Sequence, residues 1–202
     1  MPSREGEAVG LVGPNAVLQL MAAFRAAGLG RFVAPLLAAA GVPEWLERPP
    51  GEMVDERAVA RLHQAVRAGF VEAEWGPLLE EAGVRTADYL LAVRIPWLVQ
   101  VVLKCLPGWV AARVLMAAIR RNAWTFAGSG RFSARVGRSV QIRIEGNPFC
   151  VGERAEGPVC RWHRAVFQRL FRVLVSRDAW VEEVECEASG GGACCFEVRW
   201  TK

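Results

Sequence analysis

The 202-residue sequence has no uninterrupted apolar run long enough to cross a bilayer. Its longest charge-free stretch, residues 8–24, is broken by glycine, proline, asparagine and glutamine, and the apolar region 89–119 contains arginine, lysine and proline. The start, MPSREGEA, lacks the basic-then-apolar order of a secretory signal. These absences predict a cytoplasmic protein, and the apolar fraction of 52% excludes wholesale disorder.

Lysine is scarce, because only two of the 25 basic residues are lysines. Arginine therefore supplies nearly all of the positive charge, and its planar guanidinium binds carboxylates through two hydrogen bonds. Nine basic residues and no acid lie between residues 89 and 144. Such a stretch suits an anionic ligand, a membrane surface or nucleic acid, or it forms a solvated face that acids elsewhere in the fold balance. No helix-turn-helix, zinc-finger or aromatic RNA-binding signature accompanies it, which argues against nucleic acid.

Motifs for redox cofactors are also missing. No GxGxxG segment lies between a strand and a helix, and the GSG at residues 128–130 precedes a strand. A P-loop is absent, and the cysteine spacing fits neither ferredoxin pattern. The sequence thus offers no recognisable site for a hydride or electron donor.

Hydrophobic periodicity divides the chain into a helical part and a mixed part. In the first 125 residues it predicts helices over 14–27, 31–40, 55–74, 76–93, 96–105 and 108–122. Alternating residues then predict a hairpin over 132–144, a helix over 158–176 and a hairpin over 180–200. The expected fold class is α+β, with N-terminal helices followed by a ββαββ unit whose antiparallel sheet is covered by helices on one side. We expect a helical region, 1–84, packed on a ligand-binding domain, 85–202, in one compact unit.

Five of the six cysteines lie in the last 53 residues, which suggests a metal or redox site. Cys160 begins the 158–176 helix, Glu183 and Cys186 lie on the next strand, and Cys194 begins its hairpin partner. Three thiolates and one carboxylate form a tetrahedral set that zinc accepts, and four protein ligands make such a site structural. His163 competes with Glu183 as fourth ligand, and Cys150 and Cys195 are spare. The alternative is that the cysteines are simply small buried residues.

The C-terminal segments GPVCRWHRAVFQRLFRVLV and EEVECEASGGGACCFEVRW resemble the 4-vinyl-reductase domain family over about residues 85–200. The resemblance implies that Cys160, Glu183, Cys186 and Cys194 bind zinc, and it favours Glu183 over His163. Cys195, which directly follows Cys194, departs slightly from the family pattern without disturbing the ligand spacing.

Further segments extend the similarity to bacteriochlorophyll biosynthesis proteins over nearly the whole chain: GLVGPNAVLQL, MVDERAVARLHQAVR, RNAWTFAGSGRF and NPFC. The family name implies reduction of the 8-vinyl group of divinyl protochlorophyllide or chlorophyllide. The wider superfamily implies small apolar ligands held between helices and sheet, usually in homodimers.

Two functions follow as hypotheses. The favoured one is a non-enzymatic protein that binds a tetrapyrrole (divinyl protochlorophyllide, divinyl chlorophyllide or a Mg-porphyrin) and delivers it to bacteriochlorophyll biosynthesis enzymes. The alternative is the 8-vinyl reductase, or its substrate-binding subunit working with an external electron donor. We expect a homodimer in either case, and peripheral membrane contact stays open.

Tetrapyrrole binding requires planar walls, a partner for the propionates and an axial ligand for Mg²⁺. Tryptophans supply walls, and arginines of the basic stretch, Arg131 among them, supply charge. His63 is the candidate axial ligand, and Trp124 and Phe132 flank the turn from helix into sheet. The alternatives are a His63 that is hydrogen-bonded to a backbone carbonyl, and aromatic residues that belong to the ordinary core.

Overall fold

The computed structural model of the protein describes residues 10–201, and the first part of these is mostly helical. The α-helices of the described residues are α1 (Asn15–Ala26), α2 (Val33–Ala39), α3 (Glu56–Gly69), α4 (Glu72–Tyr89), α5 (Trp97–Cys105), α6 (Gly108–Arg121), α7 (Trp124–Ala127) and α8 (Arg161–Leu174). Shorter helical turns are formed by Gly30–Phe32, Pro43–Leu46, Pro148–Cys150 and Glu187–Ser189, all 3₁₀, and by Leu90–Arg94, which is π-helical.

The sequence predicts a helix over residues 55–74, and the C-terminal end of this prediction is wrong. Helix α3 stops at Gly69, Phe70 is extended with φ −138° and ψ 153°, and α4 begins at Glu72. Phe70 and its neighbour Val71 are both apolar, so hydrophobic periodicity does not mark the break. The start is as predicted, since the Asp55 carboxylate accepts a hydrogen bond from the Arg57 N–H at 2.8 Å and caps α3.

The second half contains the predicted ββαββ unit. Its strands are β3 (Arg131–Val136), β4 (Val140–Glu145), β5 (Trp180–Glu185) and β6 (Cys194–Arg199), which form an antiparallel sheet in the order β3-β4-β6-β5. Helix α8 connects the two hairpins. Burial alternates along β4 as period-two pleating requires, with Ile142 and Ile144 buried and Gln141 exposed. The α+β class and the ββαββ order are therefore confirmed.

Helix α8 packs on the sheet and on α4. The α4–α8 crossing is close because Gly83 of α4 faces the α8 backbone: a Cβ at Gly83 would lie 2.5 Å from the Trp162 carbonyl oxygen. Helix α4 runs continuously through residues 84 and 85, where the expected boundary lies. It thus belongs to both the helical region and the sheet-containing part.

A small two-stranded sheet, β1 (Leu11–Val12) with β2 (Val54–Asp55), was not predicted, because two residues are too short to show a period. Beside it, the buried Glu56 carboxylate accepts hydrogen bonds from the Ser129 N–H at 2.7 Å and from its hydroxyl at 2.6 Å. These bonds fasten the start of α3 to the turn between α7 and β3.

Within residues 10–201, no single helix has both the length and the hydropathy that a membrane span needs. The segments Glu72–Arg94 and Trp97–Cys105 meet both criteria only as a pair, and they are bent by 109° with respect to each other.

Candidate metal centre and ligand residues

Four buried cysteines meet between the sheet and the start of α8. Cys150 ends a 3₁₀ turn, Cys160 is the N-cap residue of α8, Cys186 follows β5 and Cys194 begins β6. All four are free thiols, and their sulfur atoms lie within 4.8 Å of one another. Segments far apart in sequence thus place four soft ligands around one point.

The sulfur–sulfur distances suit a tetrahedral metal ion. Cys150 Sγ is 3.3 Å from Cys160, 3.8 Å from Cys186 and 3.5 Å from Cys194. The Cys160–Cys194 and Cys186–Cys194 distances are 3.5 and 3.9 Å. Four thiolates about 2.3 Å from a zinc ion would be about 3.8 Å apart. The cluster therefore needs only small adjustments to close around such an ion.

Cys150, which the sequence prediction treated as spare beside Glu183 and His163, is the fourth member of the sulfur cluster, and only the fold brings it there. The segment NPFC forms a 3₁₀ turn in which the side-chain Oδ1 of Asn147 accepts a hydrogen bond from the Phe149 N–H at 3.2 Å. The same side chain donates from Nδ2 to Cys160 Sγ at 3.3 Å. The signal in the sequence was the Asn147–Pro148 turn shortly before the cysteine. This turn holds Cys150 against the start of α8.

Glu183 lies beside the sulfur cluster. Its Oε2 accepts a hydrogen bond from the backbone N–H of Cys160 at 2.9 Å, and its buried Oε1 has no partner among the described residues. Burial and the neighbouring Cys186 sulfur raise the pKa of the Glu183 carboxyl. A positive ion beside it would oppose both effects.

The thiols of the cluster influence one another through hydrogen bonds. Hydrogen bonds from Cys150 and Cys160 lower the pKa of Cys186 and of Cys194. Donation to Cys150 and to those two thiolates raises the pKa of Cys160. Sulfur atoms packed this closely thus favour mixed thiol and thiolate states, and thiolate is the form that binds metal.

His163 and Cys195 lie outside the four-sulfur cluster. His163 is buried, and neither ring nitrogen has hydrogen-bonding geometry to a described residue. Burial lowers the pKa of His163 to about 4, against a smaller opposite effect of the Phe126 backbone. Cys195 points to the other face of β6, as predicted, where Arg143 donates to its sulfur at 3.4 Å.

His63 occupies a buried aromatic environment. Its Nε2 donates to the Ala16 carbonyl oxygen at 3.2 Å, which corresponds to the backbone-bonded alternative of the sequence analysis. The ring packs edge-on against Phe149, with 4.7 Å between centroids. Rings connect it to α7: Phe149 contacts His163, and His163 contacts Phe126.

The other predicted ligand residues flank the α7–β3 turn, with Trp124 at the start of α7 and Arg131 and Phe132 at the start of β3. Trp124 is exposed, Arg131 is exposed at the start of β3, and Phe132 is half-buried. Phe132 packs edge-on against Phe126 with 5.5 Å between ring centroids. A series of aromatic contacts therefore runs from this turn to His63.

Two surface clefts lie elsewhere. One, of about 480 Å³, covers the outer face of the sheet and includes Arg135 and Arg143. The other, of about 510 Å³, is lined by Arg67, Trp75 and Arg154 among others. Neither cleft is lined by the predicted ligand residues.

Known proteins resemble this chain over almost its whole length. A model of the V4R domain matches residues 140–200. The chain is 45% identical over 187 residues to the bacteriochlorophyll synthase 23 kDa chain of Cereibacter sphaeroides, covering 93% of this chain and 89% of that one. This chain belongs to that family. The bacteriochlorophyll synthase 23 kDa chain of Rhodobacter capsulatus is 42% identical over 186 residues, covering 92% and 85%.

Solved structures with a similar fold are also known. A structure described as "Probing the function of heme distortion in the H-NOX family" matches with a TM-score of 0.58, 12% identity, and coverage of 95% of this chain and 96% of that chain. A second, "Modulating Heme Redox Potential Through Protein-Induced Porphyrin Distortion", has a TM-score of 0.52 at the same identity and coverage. At 12% identity, this likeness shows that the chain shares its fold with those proteins.

Proposed function

We propose that this protein acts in bacteriochlorophyll biosynthesis by binding a tetrapyrrole intermediate and presenting it to enzymes of the pathway. The observation that carries the proposal is the 45% identity, over 93% of the chain, to a protein described as a chain of a bacteriochlorophyll synthase. That description also supports the association with pathway enzymes. The ligands we expect are divinyl protochlorophyllide, divinyl chlorophyllide or a Mg-porphyrin.

The α7–β3 turn is the part of the molecule that we assign to the ligand. Trp124 and Phe132 offer aromatic surface to a flat macrocycle, and Arg131 offers a guanidinium to a propionate. His63 remains a candidate axial ligand for Mg²⁺. Its Nε2 is engaged by the Ala16 carbonyl, so coordination through that nitrogen requires the hydrogen bond to break.

Incubation with divinyl chlorophyllide, with and without NADPH, separates the carrier from the reductase. We expect a shift of the absorption bands and full recovery of the divinyl pigment in both samples. Conversion of the 8-vinyl group to ethyl would contradict the carrier and support the alternative, a divinyl chlorophyllide 8-vinyl reductase.

We further propose that the cysteine cluster binds zinc, with Cys160, Cys186 and Cys194 as three of the ligands. Sequence resemblance favours Glu183 as the fourth ligand, whereas the sulfur distances of 3.3 to 3.8 Å favour Cys150. We assign the fourth position to Cys150 and give Glu183 the task of holding the Cys160 backbone at 2.9 Å. A bound zinc would cross-link α8 to the last hairpin and offset the chain entropy that this closure costs.

Metal analysis of protein purified without chelator tests this assignment. We expect about one zinc per chain in the wild type. Cys150→Ser and Cys186→Ser should lose zinc and melt at lower temperature, while Glu183→Gln and His163→Ala should retain it. Cys195→Ser is the matched control, because Cys195 contacts Arg143 on the opposite face.

Two results would count against the assignment. Zinc loss in Glu183→Gln but not in Cys150→Ser would restore Glu183 as the fourth ligand. A stoichiometry near zero, with stability unchanged by EDTA, would leave the cysteines as core residues.

We also propose that the protein forms a homodimer in the cytoplasm, where its six free cysteines stay reduced. Exposed apolar residues on several elements support self-association. Light scattering should give twice the 22.1 kDa of one chain. A single-chain mass at micromolar concentration would contradict the dimer.

A further inference from the structure

An apolar surface extends along residues 93–109. Its members are valines, a leucine and two tryptophans that the fold leaves exposed: Val93, Trp97, Leu98, Val99, Val101, Val102 and Trp109. Trp97 is 69% exposed, the highest exposed fraction among the large apolar residues of the described chain. We call this set the 93–109 surface.

Helix α5 is fixed to the protein on one side only. Leu103 is the buried residue of this helix. The Gln100 amide donates to the Leu91 carbonyl at 2.6 Å and to the Ile95 carbonyl at 2.9 Å, which ties α5 to the preceding π-helical turn. The helix is therefore held in place with its apolar side open.

The charged residues within this segment of the chain have one sign. Arg94, Lys104 and Arg113 lie within or next to it, and no acid occurs between residues 89 and 144. None of the three basic groups forms an ion pair with another residue in the range 10–201. The Arg113 guanidinium lies over the Trp109 ring, 4.9 Å from its centroid. Apolar side chains thus stand beside positive charge that nothing in the described chain neutralises.

These features favour an anionic lipid surface over a second copy of the chain as the partner of the 93–109 surface. A two-fold contact through the 93–109 surface would bring Arg94, Lys104 and Arg113 towards the same residues of the partner, and like charges would repel. An anionic lipid surface complements them, because phosphates attract the basic groups and the acyl boundary accepts the apolar ones. Tryptophan is enriched at that depth of a bilayer.

We propose that the 93–109 surface docks the protein on an anionic lipid bilayer. The nine residues of α5 make a helix of about 14 Å, less than half of a hydrocarbon core of about 30 Å. Helix α5 therefore lies in the interface with Trp97, Leu98, Val101 and Val102 towards the acyl chains. The bend of 109° between the α4 segment and α5 turns α5 across the direction of α4.

Co-sedimentation with vesicles tests the proposal. We expect binding to vesicles of phosphatidylcholine with phosphatidylglycerol, weaker binding to phosphatidylcholine alone, and release as salt is raised. Exchanging Arg94, Lys104 and Arg113 together for Gln should weaken binding on the order of 100-fold. Trp97→Ser combined with Leu98→Ser should abolish it. The matched control is Trp180→Ser, because Trp180 is an exposed tryptophan on β5, outside the surface.

A second readout follows α5 directly. Cys105 is exposed at the end of α5, so an environment-sensitive fluorophore can be attached to it in a Cys195→Ser background. Its emission should shift to the blue on adding anionic vesicles. Equal binding to both vesicle types, or unchanged binding by the Trp97 and Leu98 double variant, would overturn the proposal. So would a double variant that instead lowers the mass of the protein in solution, since the surface would then be a contact between copies.

Discussion

At the scale of single residues, His63 shows how enclosure controls protonation. The imidazole packs edge-on against the stacked rings of Phe149 and Trp162 and contacts the Ala16 carbonyl. Burial, with a smaller effect of the Arg67 charge, lowers the pKa of His63 to about 3. The folded protein therefore keeps this ring neutral under conditions in which an unfolded chain would protonate it.

Stability should fall in acid because of this residue. The folded pKa lies below the unfolded value of about 6.5, so the contribution is complete above about pH 6.5 and is lost as the pH falls towards 3. Between pH 7 and pH 5 we expect His63 to account for about 2 kcal/mol of lost unfolding free energy.

Urea unfolding of the wild type and of His63→Gln at pH 7 and at pH 5 measures the contribution of His63 to this loss of unfolding free energy. Glutamine keeps a donor for the Ala16 carbonyl but does not titrate. The variant should lose about 2 kcal/mol less than the wild type over this interval. An equal loss in both proteins would show that His63 does not titrate differently on folding.

The residues of the candidate metal centre could be predicted only in part from the sequence. Cys160, Cys186 and Cys194 stand at a helix start and at two hairpin ends, positions that local patterns predict. Cys150 reaches the same point through the Asn147 turn and the long-range packing of that turn under α8. Such packing depends on tertiary contacts that no local pattern encodes.

At the scale of elements, the order of helices and strands followed from periodicity, and the breaks did not. The hairpins show alternation over six-residue strands, which is long enough to detect. The extended Phe70–Val71 link directly follows Gly69, and the π-helical turn Leu90–Arg94 carries the chain from the end of α4 to the break before Pro96. Hydrophobic periodicity shows neither feature. The close crossing of α4 and α8 at Gly83 is likewise a tertiary contact that periodicity does not show.

Replacing Gly83 by alanine should separate α4 from α8. The new Cβ would lie 2.5 Å from the Trp162 carbonyl oxygen and 2.7 Å from the Ala165 Cβ, so helix backbones must move. We expect a loss of about 1–3 kcal/mol, as for other overpacked sites.

Gly76→Ala is the control for thermal melting. It lies on the same helix, and a Cβ there meets nothing within 4 Å, so alanine should be neutral or stabilise the helix by up to about 1 kcal/mol. A Gly83→Ala protein that melts at or above the wild-type temperature would show that the close crossing is not needed.

At the scale of the whole molecule, we assign a separate task to each of three regions. We propose that a metal in the sulfur cluster fastens α8 to the last hairpin, that the α7–β3 turn contacts a tetrapyrrole, and that the 93–109 surface contacts lipid. The α7–β3 turn is joined to the start of α3 through Glu56 and Ser129. Tetrapyrrole binding is the claim on which the proposed role depends.

An absorption titration of the purified protein with divinyl chlorophyllide tests that claim most directly. We expect a saturable band shift, weaker binding when the propionate is esterified, and a similar weakening in Arg131→Gln with the free acid. Trp180→Ser, remote in sequence from the α7–β3 turn, should bind like the wild type. A spectrum identical to that of free pigment at every protein concentration would contradict tetrapyrrole binding.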